Sequence, residues 1–216
     1  MKRRRHSHTA EIAAGCFAAG VLIGWWLHAS GPIQPVEGRE AVPAVIPDDP
    51  VPNDRVPRSL DEAIDELRRR HLRLPLDEVK VETMKGEFAE QRSGHSHEAV
   101  DMLAPRDTPV HAVEDGTIAK LFFSKAGGNT IYQFDPTSRF CYYYAHLERY
   151  ATGISERKHV SRGDVIGYVG TSGNAPPNTP HLHFSVFLLG PEKQWWRGTA
   201  LDPYLVFAQQ ASPPSP

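Results

Sequence analysis

Three kinds of hydrophobic patterning follow one another along the chain. Ile12 to Ala29 is an almost unbroken apolar run of 18 residues in which His28 is the only ionisable side chain. As a helix it would span about 27 Å at about 1.5 Å per residue, just short of a bilayer core of about 30 Å. Ser59 to His71 carries a helical period instead: Leu60, Ile64 and Leu67 share a face, Ser59 and Glu62 form a capping box, and Arg68, Arg69 and Arg70 suit a solvated C-terminal end. Pro75 stops any continuation. Beyond it the period becomes two. Short runs of β-branched and aromatic residues predict strands at Val100–Leu103, Pro109–Val113, Thr117–Ser124, Thr130–Phe134, Phe140–His146, Val165–Val169 and His181–Leu188. Turn sequences separate them, among them Glu114-Asp115-Gly116, Ala126-Gly127-Gly128-Asn129, Asp135-Pro136 and Ser161-Arg162-Gly163-Asp164. Nothing between 100 and 190 reads as a long amphipathic helix. The expected fold is all-β, an antiparallel β-sandwich or open barrel, preceded by an N-terminal transmembrane helix and one short helix.

The flanks of the apolar run give it a direction. Lys2, Arg3, Arg4 and Arg5 precede it, and Trp25 and Trp26 lie near its far end. The basic side is expected in the cytoplasm and the aromatic side at the opposite interface, so the remainder lies outside the cytoplasm, in a periplasm-like space beside the inner membrane. A cleaved signal peptide is the rival reading, but Leu27-His28-Ala29 is a poor small-x-small site. Gly31 to Arg58 holds seven prolines and reads as a semi-extended tether of up to roughly 90 Å. The expected organisation is therefore 1–30 basic flank and anchor, 31–58 Pro-rich linker, 59–74 short helix, 75–207 folded domain and 208–216 disordered tail.

Composition narrows the function. Hydrophobic residues make up 40% of the 216 and charged residues 23%, enough for a packed core. The net charge of −2 argues against a nucleic-acid binder driven by phosphate neutralisation. With four bases and one acid in the first 30 residues, the exported part carries 20 bases and 25 acids, a formal −5. Two cysteines exclude a disulfide-built scaffold.

The eleven histidines carry the chemistry. In His181-Leu182-His183-Phe184 the two imidazoles project to one face of a strand while Leu182 and Phe184 enter the other. That is half of a metal site. His97 and Asp101, four apart, supply a second half, with His95 of the same strand parity as a possible substitute. Imidazole nitrogens and one carboxylate oxygen, with a position left open, describe a catalytic zinc better than a structural or thiolate-type site. In Tyr142-Tyr143-Tyr144-Ala145-His146, alternation sends Tyr142, Tyr144 and His146 one way and Cys141, Tyr143 and Ala145 the other. His146 is thereby a candidate for acid–base work beside the metal face, and Cys141, turned away and buried, is not a nucleophile.

The order His97-x-x-x-Asp101, Tyr144-Ala145-His146-Leu147, the Gly163–Asn174 stretch GDVIGYVGTSGN and Pro180-His181-Leu182-His183-Phe184 resembles the M23 (LytM/lysostaphin-type) zinc metallopeptidases. Ala104-Pro105, Thr108-Pro109-Val110, Ala112-Val113 and Asp115-Gly116 match that family as well, and the resemblance covers roughly Phe88 to Leu189. It implies a LytM-type fold related to duplicated hybrid motifs, Zn²⁺ held by His97, Asp101 and His183, and His146 and His181 as the catalytic histidines, their two roles interchangeable at this level. It implies an endopeptidase acting on the peptide cross-links of peptidoglycan, the D-Ala–diaminopimelate bond by analogy. Ala99 departs from the family's usual glycine, and its methyl is expected to shift the loop or narrow the cleft. Asn129 fits a turn role, Thr171 to Pro180 shapes the cleft before His181, and Trp195 and Trp196 either pack the C-terminal segment or form a sugar-stacking patch. Competing readings are a non-catalytic LytM-like activator of wall amidases and a lipoyl-type carrier. The second lacks a modifiable lysine in Met-Lys context, Lys125 being a poor candidate.

Overall fold

The computed structural model describes residues 57, 59–92 and 95–208. The expected anchor, nearly all of the tether, and residues 209–216 of the tail lie outside the described residues. Among those described, no helix is long and apolar enough to cross a membrane. Helix α1 spans Leu60–Arg69 and begins as its capping box dictates, the Ser59 hydroxyl accepting from the Glu62 amide at 3.2 Å. It buries Ala63, Ile64 and Leu67, while Leu60, expected on that face, stays exposed. A 3-10 turn at Val81–Met84 and a small hairpin, β1 (Gln91–Arg92) with β2 (His95–Ser96), lead into the main sheet.

That sheet is antiparallel throughout. Its strands are β3 (Val100–Leu103), β4 (Pro109–His111), β5 (Gly116–Ser124), β6 (Gly128–Phe134), β7 (Phe140–Tyr150), β8 (His159–Val160), β9 (Val165–Val169), β10 (His181–Leu189) and β11 (Gly198–Leu201). The spatial order is β11-β10-β7-β6-β5-β8; β3 adds to β10, and β9 joins β7 to β4. The seven expected strands are all present and 100–190 contains no helix. β7 runs four residues past its expected end, because Leu147 to Tyr150 pair with β9 while charged Glu148 and Arg149 point to solvent. The pairs too short to show a period, β1, β2 and β8, were not expected, nor were β11 and helix α2 (Pro203–Phe207), which Asp202 caps and Pro203 starts.

One face of the sheet builds the core. Tyr142 and Tyr144 of β7, and Leu182, Phe184 and Val186 of β10, are fully buried on it, together with Ile118, Ile131, Ile166 and Val169. Side chains of α1 and α2 close the same cluster, Phe207 lying 6.1 Å from Phe184. Burying each such side chain is worth about 1.5–3 kcal/mol.

The arginine triplet at the C-terminal end of α1 does not end in water as a group. Arg70 reaches over the Phe140 ring and bonds Glu66 at 2.6 Å, Asp135 at 3.0 Å and Glu114 at 3.1 Å. Arg139 also pairs with Glu66, and the Tyr142 hydroxyl donates to Glu114. Two guanidinium groups thus face three carboxylates. Burial pushes the Glu114 carboxyl up despite its bonds to Tyr142 and Arg70. Asp135 goes the other way. Its burial is outweighed by the Thr137 hydroxyl, the Phe140 amide and Arg70, which hold its carboxyl below the usual carboxylate value. A carboxyl depressed in the fold stabilises it above the unfolded value of about 3.9, and that contribution disappears as pH falls through the folded value. Urea denaturation of Asp135→Asn is expected to show a loss of about 2–4 kcal/mol at pH 7 that shrinks progressively below about pH 4. A difference independent of pH would rule this account out.

Candidate metal centre and active-site cleft

β10 places most of the site. Its register sets His183 opposite Asp101 on β3 and opposite Ala145 on β7, so Asp101 and His183 share a face by cross-strand pairing. Leu182 and Phe184 enter the core, as the two-residue period requires, and His181 and His183 project away from it. His97 arrives from the segment after β2, its amide bonded to the Glu90 carbonyl at 2.9 Å.

Three ligand-type atoms converge. Asp101 Oδ1 lies 3.0 Å from His183 Nδ1 and 3.2 Å from His97 Nε2, and the two ring nitrogens are 3.2 Å apart. Donors about 2.0–2.1 Å from a tetrahedral zinc sit roughly 3.3 Å from one another. The spacing and the donor types, two imidazoles and a carboxylate, fit that ion with a position left for water or substrate. Glu87 braces two of the three. Its backbone carbonyl faces His97 Nδ1 at 3.2 Å, and its carboxylate accepts the Asp101 amide at 2.6 Å. A carbonyl can only accept, so Nδ1 of His97 carries the proton and Nε2 presents its lone pair to the cluster.

His181 and His146 stand beside these donors. His181 Nε2 is 3.8 Å from Asp101 Oδ1, and the His146 ring lies 4.9 Å from that of His181 and 5.5 Å from that of His183. Each is oriented by a carbonyl at 2.8 Å from Nδ1, Thr179 for His181 and Ser172 for His146, so in the neutral ring of each it is Nε2 that offers its lone pair to the cleft. Burial, together with the neighbouring His183 and His181, pushes the His146 imidazole down to about 4 against the pull of the Ser172 carbonyl. It is neutral at pH 7. Burial also lowers His183, against its bond to Asp101. The cleft holds about 540 Å³ and is walled by these five residues, by Tyr143 and by the Asn174–Pro176 stretch.

His146 reaches this face by a route that simple alternation excludes. Asn129 pairs with Leu147 and Ile131 with Tyr144, so two steps along β6 match three along β7. The extra residue is a β-bulge, and His146 sits in it with φ 59°. A left-handed non-glycine residue costs about 1–2 kcal/mol. The His146 amide bonded to the Gly127 carbonyl at 2.8 Å, and Asn129 Nδ2 bonded to the Leu147 carbonyl at 3.1 Å, hold it there. His146 therefore faces the cleft with Tyr143, while Tyr142 and Tyr144 stay in the core. The expected partition of this strand is corrected accordingly. Cys141 shares the parity of Tyr143; what disqualifies it is complete burial, which drives its thiol pKa up.

The remaining candidates resolve as follows. The side chain of His95 lies outside the described residues. Ala99 is fully buried and does not wall the cleft, so its methyl does not narrow the opening; the left-handed residue in that loop is Glu98, φ 53°. Asn129 lies in β6 instead of the turn, and its side chain bonds the Leu147 and Glu148 carbonyls of β7. The 171–180 loop does shape the cleft, and the Ser172 and Thr179 carbonyls that aim the histidines belong to it. Sequence had no means of marking those carbonyls, which any residue carries, nor Glu87, which lies within a turn.

A model of peptidase family M23 matches residues 95–203, just over half of the chain and inclusive of all five residues. An L-Ala--D-Glu endopeptidase of Bacillus subtilis is 34% identical over 113 residues, 50% of this chain and 33% of that protein. A peptidoglycan DD-endopeptidase, ShyC, of Vibrio cholerae is 28% identical over 160 residues, 67% of this chain and 35% of that protein. The catalytic domain of lysostaphin from Staphylococcus simulans superposes with a TM-score of 0.47 at 28% identity, covering 59% of this chain and 88% of that one. The chain spans about a third of the length of these two curated relatives. By the family match over 95–203, the chain belongs to peptidase family M23.

Proposed function

We propose that this chain is a zinc-dependent endopeptidase that hydrolyses peptide cross-links of bacterial peptidoglycan, held at the inner membrane by residues 1–30 and acting on the periplasmic side through the 31–58 tether. The observation that carries the reading is the convergence of His97, Asp101 and His183 at 3.0–3.2 Å in a cleft that also holds two carbonyl-oriented histidines. Zinc bound by those three would polarise a peptide carbonyl and make water acidic enough to attack it near neutral pH. His146 and His181 supply the proton handling. A neutral imidazole Nε2 accepts the proton from the attacking water, and a protonated ring then returns it to the leaving amine nitrogen. Tyr143 and the 174–176 stretch wall the substrate in. The relative named as a peptidoglycan DD-endopeptidase supports a cross-link as the bond cut, while the one named as an L-Ala--D-Glu endopeptidase makes a bond within the stem peptide the alternative; the D-Ala–diaminopimelate bond is our reading by analogy. The membrane placement is supported by the uninterrupted run 12–29 with its basic flank.

Full-length protein in mild detergent, zinc-loaded, is expected to convert cross-linked muropeptide dimers of purified sacculi to monomers, with loss of activity on chelation. Product masses identify the bond. His183→Ala should abolish zinc binding and activity together. His146→Ala and His181→Ala should retain zinc and lose about 10²–10⁴-fold in kcat. Folded, zinc-loaded protein that cuts no wall chemistry would point instead to a regulator of wall amidases.

The Glu87 brace gives a separate expectation. Groups that orient metal ligands typically matter by about 10–100-fold in affinity. Chelator-competition titration of Glu87→Ala should show zinc binding weakened in that range, with Glu87→Gln, which keeps an acceptor for the Asp101 amide, in between. Wild-type affinity in Glu87→Ala would show that the brace does not matter.

A further inference from the structure

A run of aromatic rings leads out of the cleft. Tyr143 lies 6.0 Å from His183, Tyr132 lies 4.7 Å from Tyr143, Trp195 lies 4.7 Å from Tyr132, and Trp196 lies 5.1 Å from Trp195. Register accounts for the first steps. Tyr143 is opposite Tyr132 on one side and opposite Ser185 on the other, two residues from His183. Phe122 borders the run at 5.4 Å from Trp195.

The two tryptophans differ in kind. Trp195 is half-buried between Tyr132 and Phe122 and seats the connection between β10 and β11. Trp196 has no such packing task. It is 61% exposed, stands at 77° to Trp195 and so does not stack flat on it, and Phe122 beside the run is 41% exposed. Clustered aromatic rings left exposed mark binding surfaces more often than singly scattered ones do.

We propose that Trp196 and Phe122 form a saccharide platform that holds the glycan strand whose peptide is being cut. This rests on the reading of the cleft as a peptidoglycan peptidase site. The pyranose ring of a sugar presents a face of C–H bonds that suits the electron-rich face of an aromatic ring, while its hydroxyls remain hydrated. The distances fit. By the ring steps above, Trp196 lies no more than about 21 Å from His183. A four-residue stem peptide reaches about 13–14 Å when extended, and the sugar bearing it adds its own width. A peptide bond at the metal centre thus delivers its sugar to the platform. Holding the strand beside the cleft raises the local concentration of scissile bonds without touching the chemistry.

The test compares full-length wild type and Trp196→Ala on two substrates, cross-linked dimers still attached to glycan and the same peptide dimers freed of sugar by an amidase. The variant is expected to raise KM on the glycan-linked substrate about fivefold, leave the sugar-free peptide unchanged, and be partly rescued in Trp196→Phe. Peptide-free glycan strands should quench the tryptophan emission of wild type and not that of Trp196→Ala. Equal kinetics for variant and wild type on both substrates, or an equal loss on both, would overturn the platform. So would a Trp196-dependent response to phospholipid vesicles with none to glycan, which would assign the patch to lipid. A wild type that cuts neither substrate overturns the peptidase reading instead, and the glycan titration then decides the platform alone.

Discussion

The register of β10 is the constraint on which the site depends. Leu182, Phe184 and Val186 are fully buried, so a slip of one residue would drive them into the cleft and the histidines into the core. Burial of apolar surface therefore fixes which way two imidazoles point, although neither contributes to that burial energy. The same register fixes Asp101, since β3 pairs with β10 residue for residue across it. A donor cluster of polar groups is thus held in place chiefly by hydrophobic packing on the opposite side of one strand.

Where alternation held, the sequence was readable. His181 and His183 share a face because nothing interrupts β10, and α1 starts where its capping box starts. Alternation failed at His146 for a local reason. The bulge in β7 inverts parity between Tyr144 and His146, and its supports are a carbonyl at Gly127 and an amide side chain at Asn129 on another strand. The family motif singled out His146, whereas the periodic argument grouped it with the wrong tyrosines, Tyr142 and Tyr144 instead of Tyr143. Arg70 was misread for a related reason. A helix C-terminus explains a basic residue locally, and only the tertiary fold brings Glu114 and Asp135 to it.

The polar cluster around Arg70 and the donor cluster in the cleft solve a shared problem in different ways. Around Arg70, opposite charges and hydrogen bonds satisfy one another, with Glu114 accepting from both Arg70 and the Tyr142 hydroxyl. In the cleft, burial first and the crowding of like donors second lower the proton affinity of His146. The first arrangement ties α1 to the sheet. The second leaves a surplus of lone pairs, which is what a cation-binding, proton-accepting site requires.

Asp101 and His183, hydrogen-bonded across the cleft, are separated by 82 positions in the chain. Closing a loop of that size is slow compared with forming a helix or a hairpin, and among the described residues β3 pairs in the sheet with β10 alone. The donor set is therefore among the last features to assemble as the chain folds. A newly made molecule carries every reactive group in its sequence long before it has their geometry, so the order of folding itself withholds the site until β10 is in place.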